Sequence, residues 1–440
     1  MNKKLMAVAI AGALAVPGLA FAQASSVTIS GVLKTGVDNL NIGSANAARN
    51  GKNTSEWRLT DNSSRIIFGM VEDLGNGLSG IGQVDVRFSP DIAANTYATS
   101  PTNVGGTTMS AGGNTWVGLR SKTIGQLTFG RNDLHYGLFE LNDMAAKAGA
   151  LMATTVSLFD YIGATAIAGG TRTNNVMKYD SPNWNGLVVT AAWSANPTGV
   201  ETDLVAGNAA GTQTTRKGQA WNGMVKYNAS NWGAGYSYWN QKSDGGSTPQ
   251  SLVAQAAAGC SAAQTAAGAT TIMGGAGCLS PLTQPLDQRG DTLYGYYVWG
   301  GLKVALGWNH SVLTSTDASN SPAGFAPGNK INDRYAYTLP IGYIWGPNNI
   351  QFHYTKANDD KVGAQGANGA KMWALSYVYE LSKRTSVGLT YAKINNNAAG
   401  TYSFFTNGGG NALGQFGSPG GGSLAGESPS LLSAIVRHAF

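Results

Sequence analysis

From Val27 onward, large apolar residues alternate with small or polar ones at a period of two. Over residues 373–379, Trp373, Leu375, Tyr377 and Tyr379 enclose Ala374, Ser376 and Val378. Leu302, Val304, Leu306 and Trp308 alternate with Lys303, Ala305, Gly307 and Asn309, and Val387, Leu389 and Tyr391 with Ser386, Gly388 and Thr390. Tyr335, Tyr337, Leu339, Ile341 and Tyr343 continue the pattern over a longer stretch. Successive strand side chains point to opposite faces, so each segment predicts a strand with one apolar face and one small or polar face. The pattern has no helical period of comparable length.

The connections between these segments alternate in length. Short turns are predicted at 73–77, 121–125, 181–186, 229–231, 300–301, 346–349 and 381–384. Longer polar or Gly-rich stretches lie at 41–55, 89–113, 132–171, 195–217, 242–288, 311–332, 358–370 and 395–426. Seven short and eight long connections in strict alternation predict sixteen antiparallel strands. Short turns at one end and long loops at the other are the pattern of a transmembrane β-barrel. In hydrocarbon each unsatisfied backbone amide or carbonyl costs several kcal/mol, so a spanning sheet must close on itself. About sixteen strands leave an interior too wide for side chains to fill, so a polar, water-filled interior is expected.

Composition agrees with this all-β reading. Charged residues are 12% of the chain, about half the roughly 25% of soluble domains, while Gly reaches 61 residues. Trp184, Trp193, Trp232, Trp299 and Trp345 stand near predicted strand ends, where aromatic girdles mark membrane interfaces. A mean hydropathy of −0.12 excludes a bundle of membrane helices, which needs apolar runs of about 20 residues. One long apolar run exists, at 5–22. It follows Lys3 and Lys4 and ends in Ala20-Phe21-Ala22, which predicts a signal peptide over 1–22, cleaved between Ala22 and Gln23. The barrel is then expected over 23–440, with 27 basic and 23 acidic residues and a net charge of +4. No basic run of the kind that neutralises a row of phosphates is present, so nucleic acid is not an expected partner.

Several segments resemble the general porins of β-proteobacteria and Neisseria. Residues 64–69 (Ser-Arg-Ile-Ile-Phe-Gly) leading into 72–78 (Glu-Asp-Leu-Gly-Asn-Gly-Leu) look like that family's second strand and first turn. Residues 25–32 resemble its mature N-terminus, 129–131 the strand entering its inward-folded third loop, 175–186 the strand and turn that follow, and 436–440 its last strand. The matches keep the family's order along the whole mature chain. The resemblance implies a homotrimer of sixteen-stranded barrels in the outer membrane of a Gram-negative cell, surrounded by its lipid and needing no cofactor. Each barrel would pass ions and small hydrophilic solutes by passive diffusion. It also implies that Phe440 addresses the chain to the outer-membrane assembly machinery.

A wide barrel selects nothing until something narrows it. Residues 132–171 are the candidate constriction loop, because so long a segment without regular structure is usually functional. In the resembled family that loop enters the lumen and sets acids opposite basic wall residues. Here it carries Glu140, Asp143 and Asp160, with Lys147 as a basic exception. The wall candidates are Arg65 and Arg131, which carry over by motif, and Lys34 and Arg87, which follow from strand parity. Lys34 stands where family members often have Asp, and Gly69 where they often have a basic residue. Rings of charge set ion preference, so the basic cluster and positive balance predict mild anion preference.

Cys260 and Cys278 flank an Ala/Gly/Thr-rich stretch of the longest loop. Beyond a signal peptide the compartment is oxidising, so a disulfide is expected. Two other classes fit the sequence poorly. A barrel hydrolase needs a His within reach of a nucleophile and an orienting partner, yet His135, His310, His353 and His438 are isolated in sequence and no G-x-S-x-G motif occurs. A structural or adhesive barrel with a closed lumen conflicts with the width that sixteen strands impose. No metal site is implied, since the His residue nearest to Cys278 is His310.

Overall fold

A computed structural model describes residues 25–43, 55–88, 90, 109–135, 147–150, 153, 158–159, 161–162, 165–166, 172–195, 197, 219–242, 286–315, 328–362, 367–400, 402–404 and 426–440. Eighteen strand segments form one antiparallel sheet. Two pairs of segments are single barrel strands with a break in the middle, so the wall has sixteen strands, as the connection lengths predict. They are β1 (Ser26–Asn41), β2 (Ser55–Asp61 and Arg65–Gly75), β3 (Leu78–Phe88), β4 (Met109–Ser110 and Thr115–Ser121), β5 (Gly125–Asp133), β6 (Arg172–Asp180), β7 (Leu187–Ser194) and β8 (Gln219–Asn228). The second half comprises β9 (Trp232–Lys242), β10 (Leu286–Trp299), β11 (Leu302–Ser315), β12 (Lys330–Trp345), β13 (Asn348–Ala357), β14 (Ala370–Glu380), β15 (Thr385–Asn396) and β16 (Ser430–Ala439). A small hairpin, Tyr161–Ile162 with Thr165–Ala166, lies in the third long connection.

Each strand pairs with its chain neighbours, and β1 closes the ring by pairing with β2 on one side and β16 on the other. Closure gives every strand two partners and leaves no sheet edge in lipid. The short turns fall where the sequence places them. At the first, the Asp73 carboxylate accepts the Gly75 amide at 2.9 Å, and Gly75, Asn76 and Gly77 all take positive φ. That run of left-handed residues is why the turn is written Gly-Asn-Gly.

Burial alternates with the sequence. On β1, Val27, Ile29, Leu33 and Val37 are exposed on the outer wall, while Lys34, Asp38 and Leu40 are buried inside. The large members of the other alternating runs, such as Leu306, Tyr377 and Leu389, likewise face outward. Trp184, Trp232, Trp299 and Trp345 are exposed at the short-turn end. Trp193 lies toward the long-loop end, 6.1 Å from Trp221.

One sector departs from the expected polar interior. Ala357, Ala370, Met372, Ala374, Val378, Ala392, Ile394, Leu431 and Ile435 are buried on inner faces of β13–β16 and form one cluster with residues of the third connection. Small apolar side chains there leave room for a loop against the wall, and the covered area needs no water.

The seam between first and last strand is tight. Gly31 and Phe440 exchange two backbone hydrogen bonds of 3.1 Å. A Cβ at Gly31 would stand 2.5 Å from both the Arg65 carbonyl oxygen and the Phe440 ring. Gly31→Val is expected to cost about 1–3 kcal/mol by overpacking. It should lower the temperature at which the folded barrel converts to the unfolded band on a detergent gel, and an unchanged temperature would refute this account of the seam.

Candidate pore constriction

The break in β2 organises a cluster of bases. The Asp61 carboxylate accepts the amides of Ser63 and Ser64, at 3.0 and 2.9 Å, and Ser63 takes φ 79°. Such strained non-glycine residues tend to gather at functional positions. The kink turns the Ser64 hydroxyl to the β1 backbone, where it accepts the Lys34 amide at 3.1 Å. It also presents the Ser63 hydroxyl to Arg87, which donates to it. Register sets Arg65 between Val32 and Arg87, and Lys34 opposite Arg437 of β16. Lys34, Arg65, Arg87 and Arg437 therefore share the inner face of four adjoining strands at similar height.

Asp85 is the acid among them. Its Oδ2 lies 2.8 Å from Arg87 and 3.7 Å from Arg65. Lys34 feels the positive fields of Arg437 and Arg65, opposed by Asp61. Nearer the long-loop end, Asp38 is matched by Arg58 at 3.7 Å and by the Ser433 hydroxyl, so that pair adds little net charge. The inner wall at β1–β3 and β16 is thus net positive.

The third connection leaves β5 and turns inward at once. His135, with φ 53°, donates its amide to Asn222 at 3.2 Å and sets its ring against Ser237 (2.9 Å) and Thr292 (3.4 Å) on inner faces of β9 and β10. Gly290 makes room for the ring, since a Cβ there would stand 2.7 Å from His135 Nε2. Burial pushes the imidazole down to about 4, so it docks uncharged.

Further along, the same connection reaches a different part of the wall. Ala150 donates its amide to the Thr390 hydroxyl at 3.1 Å, and Lys147 pairs with Glu380 at 2.6 Å. Arg334 of β12, 1% exposed, donates to the carbonyls of Leu158 and Phe159 at 2.8 and 3.1 Å and to the Tyr402 hydroxyl at 3.0 Å. Ala148, Ala150, Ala153 and Leu158 join the apolar cluster on β13–β16, as do Leu40, Tyr402 and Phe404. The loop is held inside the barrel at two separated places, by a neutral imidazole and by a guanidinium.

Of the sequence-derived candidates, Lys34, Arg65 and Arg87 come together. Arg131 pairs with Thr115 and continues the alternation of Leu127 and Phe129 rather than that of the buried Thr128 and Asn132. It stands away from the Lys34–Arg65–Arg87 group in register. Glu140, Asp143 and Asp160 lie outside the described residues, as do Ala22, Gln23, Cys260 and Cys278. Sequence reasoning missed Arg437, Asp85, Arg334 and His135. Arg437 and Asp85 were accessible from parity, being two or three residues from positions already singled out. His310, isolated in sequence, is flanked on the outer wall by Asp333 at 2.8 Å and Asp291 at 4.0 Å.

Arg334→Gln should remove the charge-assisted bonds to the loop carbonyls, worth about 1.5–3 kcal/mol each. The expected result is a larger or noisier single-channel conductance with an intact barrel; conductance identical to the parent would show that Arg334 does not hold the loop.

The comparisons with known proteins agree with this geometry. A family model described as Gram-negative porin matches residues 7–399. The major outer membrane protein P.IB of Neisseria meningitidis serogroup B is 28% identical over 198 residues, covering 44% of this chain and 50% of that protein. The alignment thus spans about half the length of that curated relative. Among solved structures, an anion-selective porin from Comamonas acidovorans superposes with a TM-score of 0.65 at 20% identity, over 94% of this chain and all of that one. OmpT of Vibrio cholerae in its trimer form gives a TM-score of 0.57 at 13% identity, over 95% of this chain and all of that one. At these identities the superpositions establish the fold, and the family match, over most of the chain, establishes descent: this protein belongs to the Gram-negative porin family.

Proposed function

We propose that the protein is an outer-membrane diffusion channel, a non-enzymatic pore for ions and small hydrophilic solutes with mild preference for anions. The observation that carries this reading is the pairing of a closed sixteen-strand wall with a third connection anchored on its inner side. The anchored loop narrows a lumen that strand number alone would leave wide, and Lys34, Arg65, Arg87 and Arg437 around Asp85 make one side of it positive. The anion-selective neighbour and the trimeric neighbour are consistent with the charge preference and with a homotrimer. Cleavage after Ala22, a Cys260–Cys278 bridge that restrains the fifth long loop, and recognition of Phe440 by the assembly machinery belong to the same reading. The exposed Phe440 ring at the end of β16 suits a terminal signal.

Zero-current potentials across a potassium chloride gradient test the preference. Chloride should pass more readily than potassium. Two opposite unit charges 4 Å apart in water attract by about 1 kcal/mol, a factor of about five in occupancy, so Lys34→Ser with Arg65→Ser should lower the permeability ratio by several-fold. Cation preference in the parent, or an unchanged ratio in the double variant, would sink the assignment.

A further inference from the structure

Toward the long-loop end of the outer wall, the bases of neighbouring strands are matched to acids. On β9–β12, Lys242 pairs with Asp287 at 2.6 Å, Arg289 with Asp291 at 3.1 Å and Lys330 with Asp333 at 2.6 Å. Lys361 rests its ammonium 4.1 Å over the Tyr335 ring. The adjoining sector, β13–β15, is different. Lys356 and Lys371 are direct register partners, both exposed on the outward parity, and Lys393 lies diagonally from Lys371 on the next strand. Like charges directly opposite on one sheet face destabilise it. Among the described residues no carboxylate reaches any of the three. The acid nearest along the chain, Asp359, faces the connection instead, accepting the Gly369 amide at 2.6 Å and the Asn397 side chain at 2.8 Å.

Directly below the lysines, on the same strands and the same face, come Tyr354, Trp373 and Tyr391, then Phe352, Leu375 and Leu389. Trp373 and Tyr391 pack at 5.2 Å. Aromatic residues over an apolar band locate the membrane interface. The lysines therefore stand at headgroup height on the long-loop side, where acyl chains would lie along the wall beneath them. A row of fixed positive charges at that height attracts anionic headgroups by about 1 kcal/mol per residue.

We infer that Lys356, Lys371 and Lys393 form a docking surface for the phosphate groups of an anionic lipid in the outer leaflet. The phosphates supply the counter-charge that the sheet lacks, and the repulsion between Lys356 and Lys371 is relieved only when the lipid is present. This surface is separate from the lumen and goes beyond the channel reading, sharing with it only the orientation of the barrel in the membrane.

Native mass spectrometry of the folded full chain in mild detergent, incubated with diphosphoryl lipid A or with phosphatidylcholine, reads the interaction. The protein should retain lipid A and not phosphatidylcholine. Lys356→Gln/Lys371→Gln/Lys393→Gln should weaken retention of lipid A by about a hundredfold, with single-channel conductance unchanged as the check of folding. Lys242→Gln/Lys330→Gln should retain it. In lipid-free detergent the single variant Lys371→Gln should unfold at a higher temperature than the parent, which keeps the test open if the triple variant folds poorly. Equal lipid A retention by the triple variant would overturn the proposal. Tight binding of inorganic phosphate alone would overturn it in favour of a soluble anion. Loss of oligomer heat resistance without loss of lipid A would overturn it in favour of a contact between copies of this chain.

Discussion

Every feature of this protein follows from the need to satisfy backbone hydrogen bonds where no water is present. A sheet in hydrocarbon must have no edge, and β1 meets that condition by pairing with β2 and β16 together. Closure then fixes the rest. Each residue faces either lipid or lumen, so the chain must alternate, and its few charges can sit only inside or at the rims. The tight contact of Gly31 with Arg65 and Phe440 is where that ring is completed.

Within the closed wall, the useful departures from regularity are local. The kink at Asp61–Ser64 breaks a strand, and its two serines receive Arg87 and the Lys34 amide. A regular β2 would offer those groups only backbone partners. The inner wall at β13–β16 departs in the other direction, exchanging polar for small apolar side chains so that the third connection can pack on it. Arg334 and His135 then fix the loop by bonds that need no exposed charge: the guanidinium is enclosed by carbonyls, and the imidazole docks neutral.

The alternation along the chain made the strands legible, and turn chemistry such as Gly75-Asn76-Gly77 made their ends legible. Lys34 and Arg87 could be placed on the inner face because parity is a one-dimensional property, and Arg65 by the motif that it shares with the resembled family. What packs on a face is not. Ala374 and Ala392 read as small residues on a luminal face, and nothing in their spacing says that a loop covers them. Arg334 reads as one more charge beside Asp333, although its three acceptors come from residues far along the chain. Arg131 illustrates the opposite risk, since a motif assigned it to the wall of the constriction while register pairs it with Thr115 on the face of Phe129.

The central claim is that a loop packed inside a closed barrel still leaves a continuous aqueous path. Recording purified folded protein in planar bilayers measures that path directly. Discrete, long-lived conductance steps that scale with bulk salt conductivity are the predicted result; folded protein that inserts and conducts nothing would contradict it.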